Sequence, residues 1–139
     1  MSKGKDFNKP SPSNTRRIRL GDLPPDQNYD QSKPIFSLKN MRYGQGGCIS
    51  KCDSESKSNI LSTLLKLSQQ TWAQIKSSPR NKLGFEKMPQ EEFRIAMSST
   101  VTPEVKMIVF RYSDKGRIAG YRIHDILHVV LVGEELYKH

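Results

Sequence analysis

RIAGYRIHDILHVVLVG, residues 117 to 133, decides how this chain is read. Ile118, Tyr121 and Ile123 give the stretch from Arg117 to His124 the β-branched and aromatic character of a strand. A joint follows at His124 and Asp125, and an aliphatic run then extends from Ile126 to Val132. Two such runs with a two-residue connection read as a β-hairpin. VKMIVFRYS (105–113) just before it reads as a third strand, and DKG (114–116) as the turn between them. Side chains alternate between the faces of a strand. Ile118, Gly120, Arg122 and His124 therefore oppose Arg117, Ala119, Tyr121 and Ile123, and Met107, Val109 and Arg111 oppose Ile108, Phe110 and Tyr112. If the strands align, one face carries Arg111, Arg122 and His128. A half-buried antiparallel sheet places polar residues on its solvent face without any function. The residue types stand out more than their number, because Arg, Tyr and His bind phosphate, stack on bases and exchange protons near neutral pH.

Outward from the hairpin, SNILSTLLKLSQQTWAQIKSSP (58–79) places Ile60, Leu61, Leu64, Leu65, Leu67, Thr71, Trp72 and Ile75 on one helical stripe. Asp53 or Ser58 caps its start and Pro79 ends it. PIFSLKNMRY (34–43) is expected to supply a first strand. RNKLGFEKMPQEEF (80–93) is a turn-rich connection with a helical turn at Gln90 to Arg94, and FRIAMS (93–98) is a further candidate strand. Strand, helix and then a meander predict an α+β fold: an antiparallel sheet of four to five strands with one long helix packed on one face. Residues 1–33 contain four prolines and few apolar side chains, so they are expected to form a polar, disordered arm ahead of a single domain over 34–139.

The chain has 139 residues, a net charge of +9 and an isoelectric point near 9.7. Seven basic and four acidic residues give the arm +3; sixteen basic and ten acidic give the remainder +6. Most of the excess sits on the folded part, which favours a polyanionic partner. No apolar run is long enough to span a bilayer, and the N-terminal stretch lacks the apolar core of a secretory signal. A cytoplasmic location with free thiols is the expectation. Cys48 and Cys52 form C-x3-C without a second pair, so no metal site is expected and the thiols are read as structural. GQGG (44–47) lacks the G-K-[ST] of a Walker loop and the context of a dinucleotide fingerprint. No G-x-S-x-G elbow supports a hydrolase triad. No cofactor is expected.

Arginine, histidine, tyrosine and a carboxylate are the tools of metal-independent RNA cleavage. In that reaction the ribose 2′-OH attacks its own phosphate, a base takes the proton, a cation steadies the growing charge and an acid protonates the leaving oxygen. The basic chain with VFRYSDKGRIAGYRIHDILHVVLVG (109–133) in its terminal meander resembles the RelE-like toxins of bacterial toxin–antitoxin pairs, the HigB and MqsR types included. The resemblance covers 34–139 in layout and is strongest in GYRI, its tight turn and the aliphatic strand. It implies a cytosolic endoribonuclease acting on mRNA, free or on the ribosome, and an acidic antitoxin that covers the basic face. It matches Arg111 and Arg122 to the family's phosphate-binding arginines and Tyr137 to its C-terminal tyrosine. This chain departs from the family in its long arm and its single clear helix. SPRNKLGFEKM (78–88) resembles a block in small uncharacterised bacterial proteins and implies no function.

The candidate catalytic residues are accordingly Arg111, Arg122, His128, Tyr137 and Glu86, with Glu86 as the carboxylate base. Candidate RNA contacts are Arg80, Lys87, Lys106, Arg117 and Tyr121. A reading of a different class stays open: a non-catalytic module whose sheet and basic arm contact nucleic acid or an acidic protein.

Overall fold

The structure, a computed structural model, describes residues 17–23, 29–80, 82–96 and 101–138. Its strands are β1 (Ile35–Ser37), β2 (Glu86–Met88), β3 (Met107–Arg111), β4 (Arg117–Ile123) and β5 (Ile126–Gly133). Two helices, α1 (Ser54–Ser68) and α2 (Trp72–Lys76), lie between β1 and β2. The sheet order is β1-β5-β4-β3-β2. All neighbours are antiparallel except β1, which runs parallel to β5. The fold is thus α+β with a five-stranded, mostly antiparallel sheet, as expected.

Both hairpins of the meander follow from their turn residues. In the β3–β4 turn the Gly116 N–H donates to Ser113 Oγ at 2.8 Å. In the β4–β5 turn His124 takes the left-handed conformation, φ 59°, that a two-residue loop requires. Its ring packs on Tyr29 with centroids 4.5 Å apart.

The β4–β5 ladder contains a bulge. Ala119 pairs with Leu131 and Gly120 with Val129, leaving Val130 as the extra residue. Val130 and Leu131 consequently pack in the same cluster, while Leu127, Val129 and Val132 pack in the other. The unbroken VVLV run therefore defeats a simple alternation.

One cluster lies between the sheet and the helices and contains Ile60, Leu67, Trp72, Ile75, Phe110 and Leu127. The other covers the opposite face, where Phe93, Val101, Val105 and Leu136 close over Val109, Ala119 and Tyr121. The sheet core is thus covered twice, once more than expected, so its strands are apolar on both sides.

The helical stripe is divided. Asp53 caps α1 by accepting the Ser56 N–H at 2.8 Å. A turn at Gln69–Gln70 ends α1. Thr71 restarts the helix with a capping box to Gln74, and the Trp72 N–H donates to Ser32 O at 3.0 Å. Leu61 and Leu65, expected inside, are 70% and 61% exposed. The strand expected over 93–98 reduces to a bridge between Phe93 and Tyr137, and residues 97–100 lie outside the described residues.

Of the arm, residues 1–16 and 24–28 lie outside the described residues. Its described parts touch the domain at several places. Ile18 bridges Val101 in parallel, and the Asp30 and Ser32 carbonyls accept from α2.

Candidate functional site

The β3–β4 register sets Arg111 directly opposite Arg117 where both strands meet their turn. Side chains of such a pair share a face, and like charges there repel. The turn offsets part of this, since Arg117 Nη1 donates to the Ser113, Asp114 and Gly116 carbonyls at 3.3, 3.0 and 2.9 Å. Among the described residues neither arginine is in an ion pair with a carboxylate. β2 stops opposite Val109, so Arg111 extends past the end of its neighbour.

Glu86 opposes Val109 and so faces the same side, one row from the arginines. Read as part of a loop, it is instead the first residue of β2. Its carboxylate pairs with Arg80 at 2.5 Å. Tyr137 reaches this side through its bridge to Phe93, with ring centroids 5.4 Å apart. Its hydroxyl is buried and makes no hydrogen bond of good geometry among the described residues, though the Arg117 guanidinium approaches it as a donor. Burial first, and then Glu86, push the phenol above its usual pKa, while Arg117 and Arg111 pull it back. At neutral pH the phenol keeps its proton. Two guanidiniums, a carboxylate and a protonated phenol therefore gather at one end of one sheet face.

Arg122 stands elsewhere. It pairs with Leu127, on the helix side of the sheet. Its Cζ lies 4.3 Å from the Trp72 ring centroid, its Nη2 is 3.1 Å from Asp30 Oδ1, and its Nε donates to the His124 carbonyl at 2.7 Å. Its side chain is 2% exposed. The alignment that would join Arg111, Arg122 and His128 is not formed, because the hairpin register pairs Arg111 with Arg117 and turns Arg122 to the other face.

His128 lies across from Tyr121, with stacked rings 5.0 Å apart, and Asn40 donates to the Tyr121 hydroxyl at 2.7 Å. It shares the face of Arg117 but sits four residues along the strand from it, about 13 Å away. Lys87 and Lys106 are exposed and line a cleft of about 190 Å³, away from Arg111 and Arg117, with Glu104, Tyr121 and Arg122. Arg80 is exposed and belongs to the arginine cluster through Glu86. Sequence reasoning ranked Arg117 only as an RNA contact. Counting pairs back from a three-residue DKG loop would have matched it to Ser113; the turn instead centres on Asp114, with the Tyr112 N–H donating to the Gly116 carbonyl, and this shifts the partner of Arg117 to Arg111.

Among the described residues no three of His, Cys, Asp and Glu are grouped to hold a metal ion. No described helix is long and apolar enough to cross a membrane.

Acid should weaken the fold in two steps. Burial lowers the His128 pKa and Lys39 lowers it further, so the folded state holds this histidine neutral. Protonation then favours the unfolded chain, and stability present above about pH 6.5 is lost below it. Burial raises the Asp30 carboxyl, but Lys76 and Arg122 outweigh it and lower the pKa overall. That contribution is present above about pH 4 and is lost on further acidification. Melting temperature against pH should show both declines. Asp30→Asn should remove the lower one and leave the upper.

The fold and site define an α+β protein with an arginine-and-phenol face on its sheet. No protein-family model, curated protein or solved structure matches the chain.

Proposed function

We propose that this protein binds RNA on the Arg111–Arg117 face and cleaves it there with the ribose 2′-OH as nucleophile. The observation that carries the reading is the pairing of two arginines free of carboxylates beside a buried phenol that Arg117 approaches. The Arg111 guanidinium offers a planar fork of donors to a phosphate, Arg117 adds the donors that its turn carbonyls leave, and both stabilise the charge that grows on it. Tyr137 holds a proton for the leaving 5′ oxygen. Glu86 takes the proton from the 2′-OH once a phosphate draws Arg80 away. The charge of +6 on residues 34–139 supports a polyanionic substrate. The likeness to RelE-like toxins fits this chemistry and extends the proposal to mRNA as target, the cytosol as setting and an acidic protein as the cover for this face.

Labelled oligoribonucleotides test the proposal at several salt concentrations. Arg111→Ala and Arg117→Ala should each weaken binding and flatten its salt dependence. Tyr137→Phe should leave binding intact and slow cleavage by about 100-fold or more. A substrate with 2′-deoxyribose at the cut should bind and stay whole. One observation favours a second reading, binding without cleavage: the ion pair to Arg80 occupies the Glu86 carboxylate that would serve as the base. Wild-type protein that binds RNA in a salt-dependent way without cutting it would support that reading. Absence of salt-dependent RNA binding would overturn both.

A further inference from the structure

Cys48 and Cys52 lie outside the arginine face. They flank a single 3-10 turn (Ile49–Lys51), Cys48 as its N-cap and Cys52 as its C-cap. The Cys52 thiol reaches back to within 3.9 Å of the Cys48 carbonyl oxygen, so both sulfurs belong to one turn. Both residues also line one cavity of about 290 Å³. Its wall includes Lys51, Ser56 and Tyr112. Cys48 borders a second cavity of about 470 Å³ beside Met41 and Ile49. A buried thiol between two cavities is within reach of a small molecule.

We infer that Cys48 and Cys52 form an oxidisable pair, in which Cys48 reacts with a hydroperoxide and Cys52 closes the disulfide. The two thiols differ in surroundings. Cys48 Sγ accepts the Ser50 N–H at 3.4 Å and lies 3.1 Å from the Ser50 hydroxyl. Burial alone would raise its pKa, but Ser50, the Gly44 backbone and the Lys51 charge outweigh it and lower the thiol. Burial raises Cys52, and Asp53 and Cys48 raise it further. Donors and a cation around one sulfur define the attacking thiolate, and its more basic neighbour keeps its proton until called on.

The chemistry balances with one peroxide. The Cys48 thiolate attacks the O–O bond, takes one oxygen as a sulfenic acid and releases hydroxide, or the alcohol's anion from an organic hydroperoxide. The Cys52 sulfur then attacks the Cys48 sulfur, the S–S bond forms, the S–O bond breaks and water leaves. Two thiols are oxidised and one peroxide is reduced.

The test treats the full chain with stoichiometric hydrogen peroxide under native conditions, followed by intact mass and peptide mapping. Wild-type protein should lose the mass of two hydrogens, lose both titratable thiols and show a Cys48–Cys52 link. Cys52→Ser should gain a single oxygen at Cys48, trapped by dimedone. Mapping of the wild-type protein keeps the test valid if a Cys48 variant folds poorly. Retention of both free thiols would overturn the inference, as would a disulfide formed only between chains or an oxygen trapped on Cys52 rather than Cys48.

Discussion

Arg122→Ala is expected to lower folding stability by about 3–5 kcal/mol, the cost of breaking a buried ion pair from one side. The guanidinium is nearly inaccessible, and its neighbours include the Trp72 ring, the Asp30 carboxylate and the His124 carbonyl. Its removal leaves Asp30 with Lys76 alone and opens a gap against Trp72. Trp72 is fully buried and donates its indole N–H to the Asp125 carbonyl at 3.1 Å, so the gap lies where the hairpin turn, α2 and residues 29–33 meet. Urea denaturation measures the loss. Asp30→Ala in the same chain should recover part of it, because the carboxylate that lost one of its two cations goes with it. RNA affinity per folded molecule should stay at the wild-type value. An Arg122→Ala protein that kept its stability and lost RNA binding would place Arg122 in the site and refute its structural role.

Gly120→Ala should be comparably damaging, about 3 kcal/mol or more. A Cβ there would lie 2.2 Å from the His128 carbonyl oxygen, 2.9 Å from its carbonyl carbon and 3.1 Å from Val129 Cα. All three are backbone atoms at the bulge, so no side chain can swing away to make room. Relief would require β4 and β5 to separate, which would disturb both core clusters. Gly21→Ala is the matched control: nothing lies within 4 Å of its added methyl, and its stability should stay within about 0.5 kcal/mol of wild type. A Gly120→Ala protein as stable as that control would show that the strands do not pair through this bulge.

The two variants separate what local sequence encodes from what it does not. DKG and the His124–Asp125 joint each lie within a few residues of the strands they connect, so the meander of β3, β4 and β5 was readable from the chain. So were Asp53 as a helix cap and the apolar stripe of Ile60, Leu67, Trp72 and Ile75, since capping and periodicity act over one or two turns. The pairing of Arg111 with Arg117 was not encoded in the DKG motif, which as a three-residue loop would set Ser113 against Arg117; the turn is wider, over 112–116.

Tertiary structure decided the rest. Leu61 and Leu65 carry the same apolar signal as Leu67, yet they face solvent, because the sheet covers only part of the stripe. The helix breaks at Gln69–Gln70 because residues 29–33 supply the Ser32 and Asp30 carbonyls that receive the α2 N–H groups. β1 joins β5 in parallel, a pairing no turn announces. Glu86–Met88 becomes a strand only because β3 offers an open edge. The bulge at Val130 redirects β5, and a second layer from distant residues buries the other sheet face. By itself the sequence determined a basic α+β chain with a C-terminal meander, because turns and periodicities are short-range. Which arginine holds the fold and which meets solvent was decided only when Asp30 and Trp72, far apart along the chain, closed around Arg122.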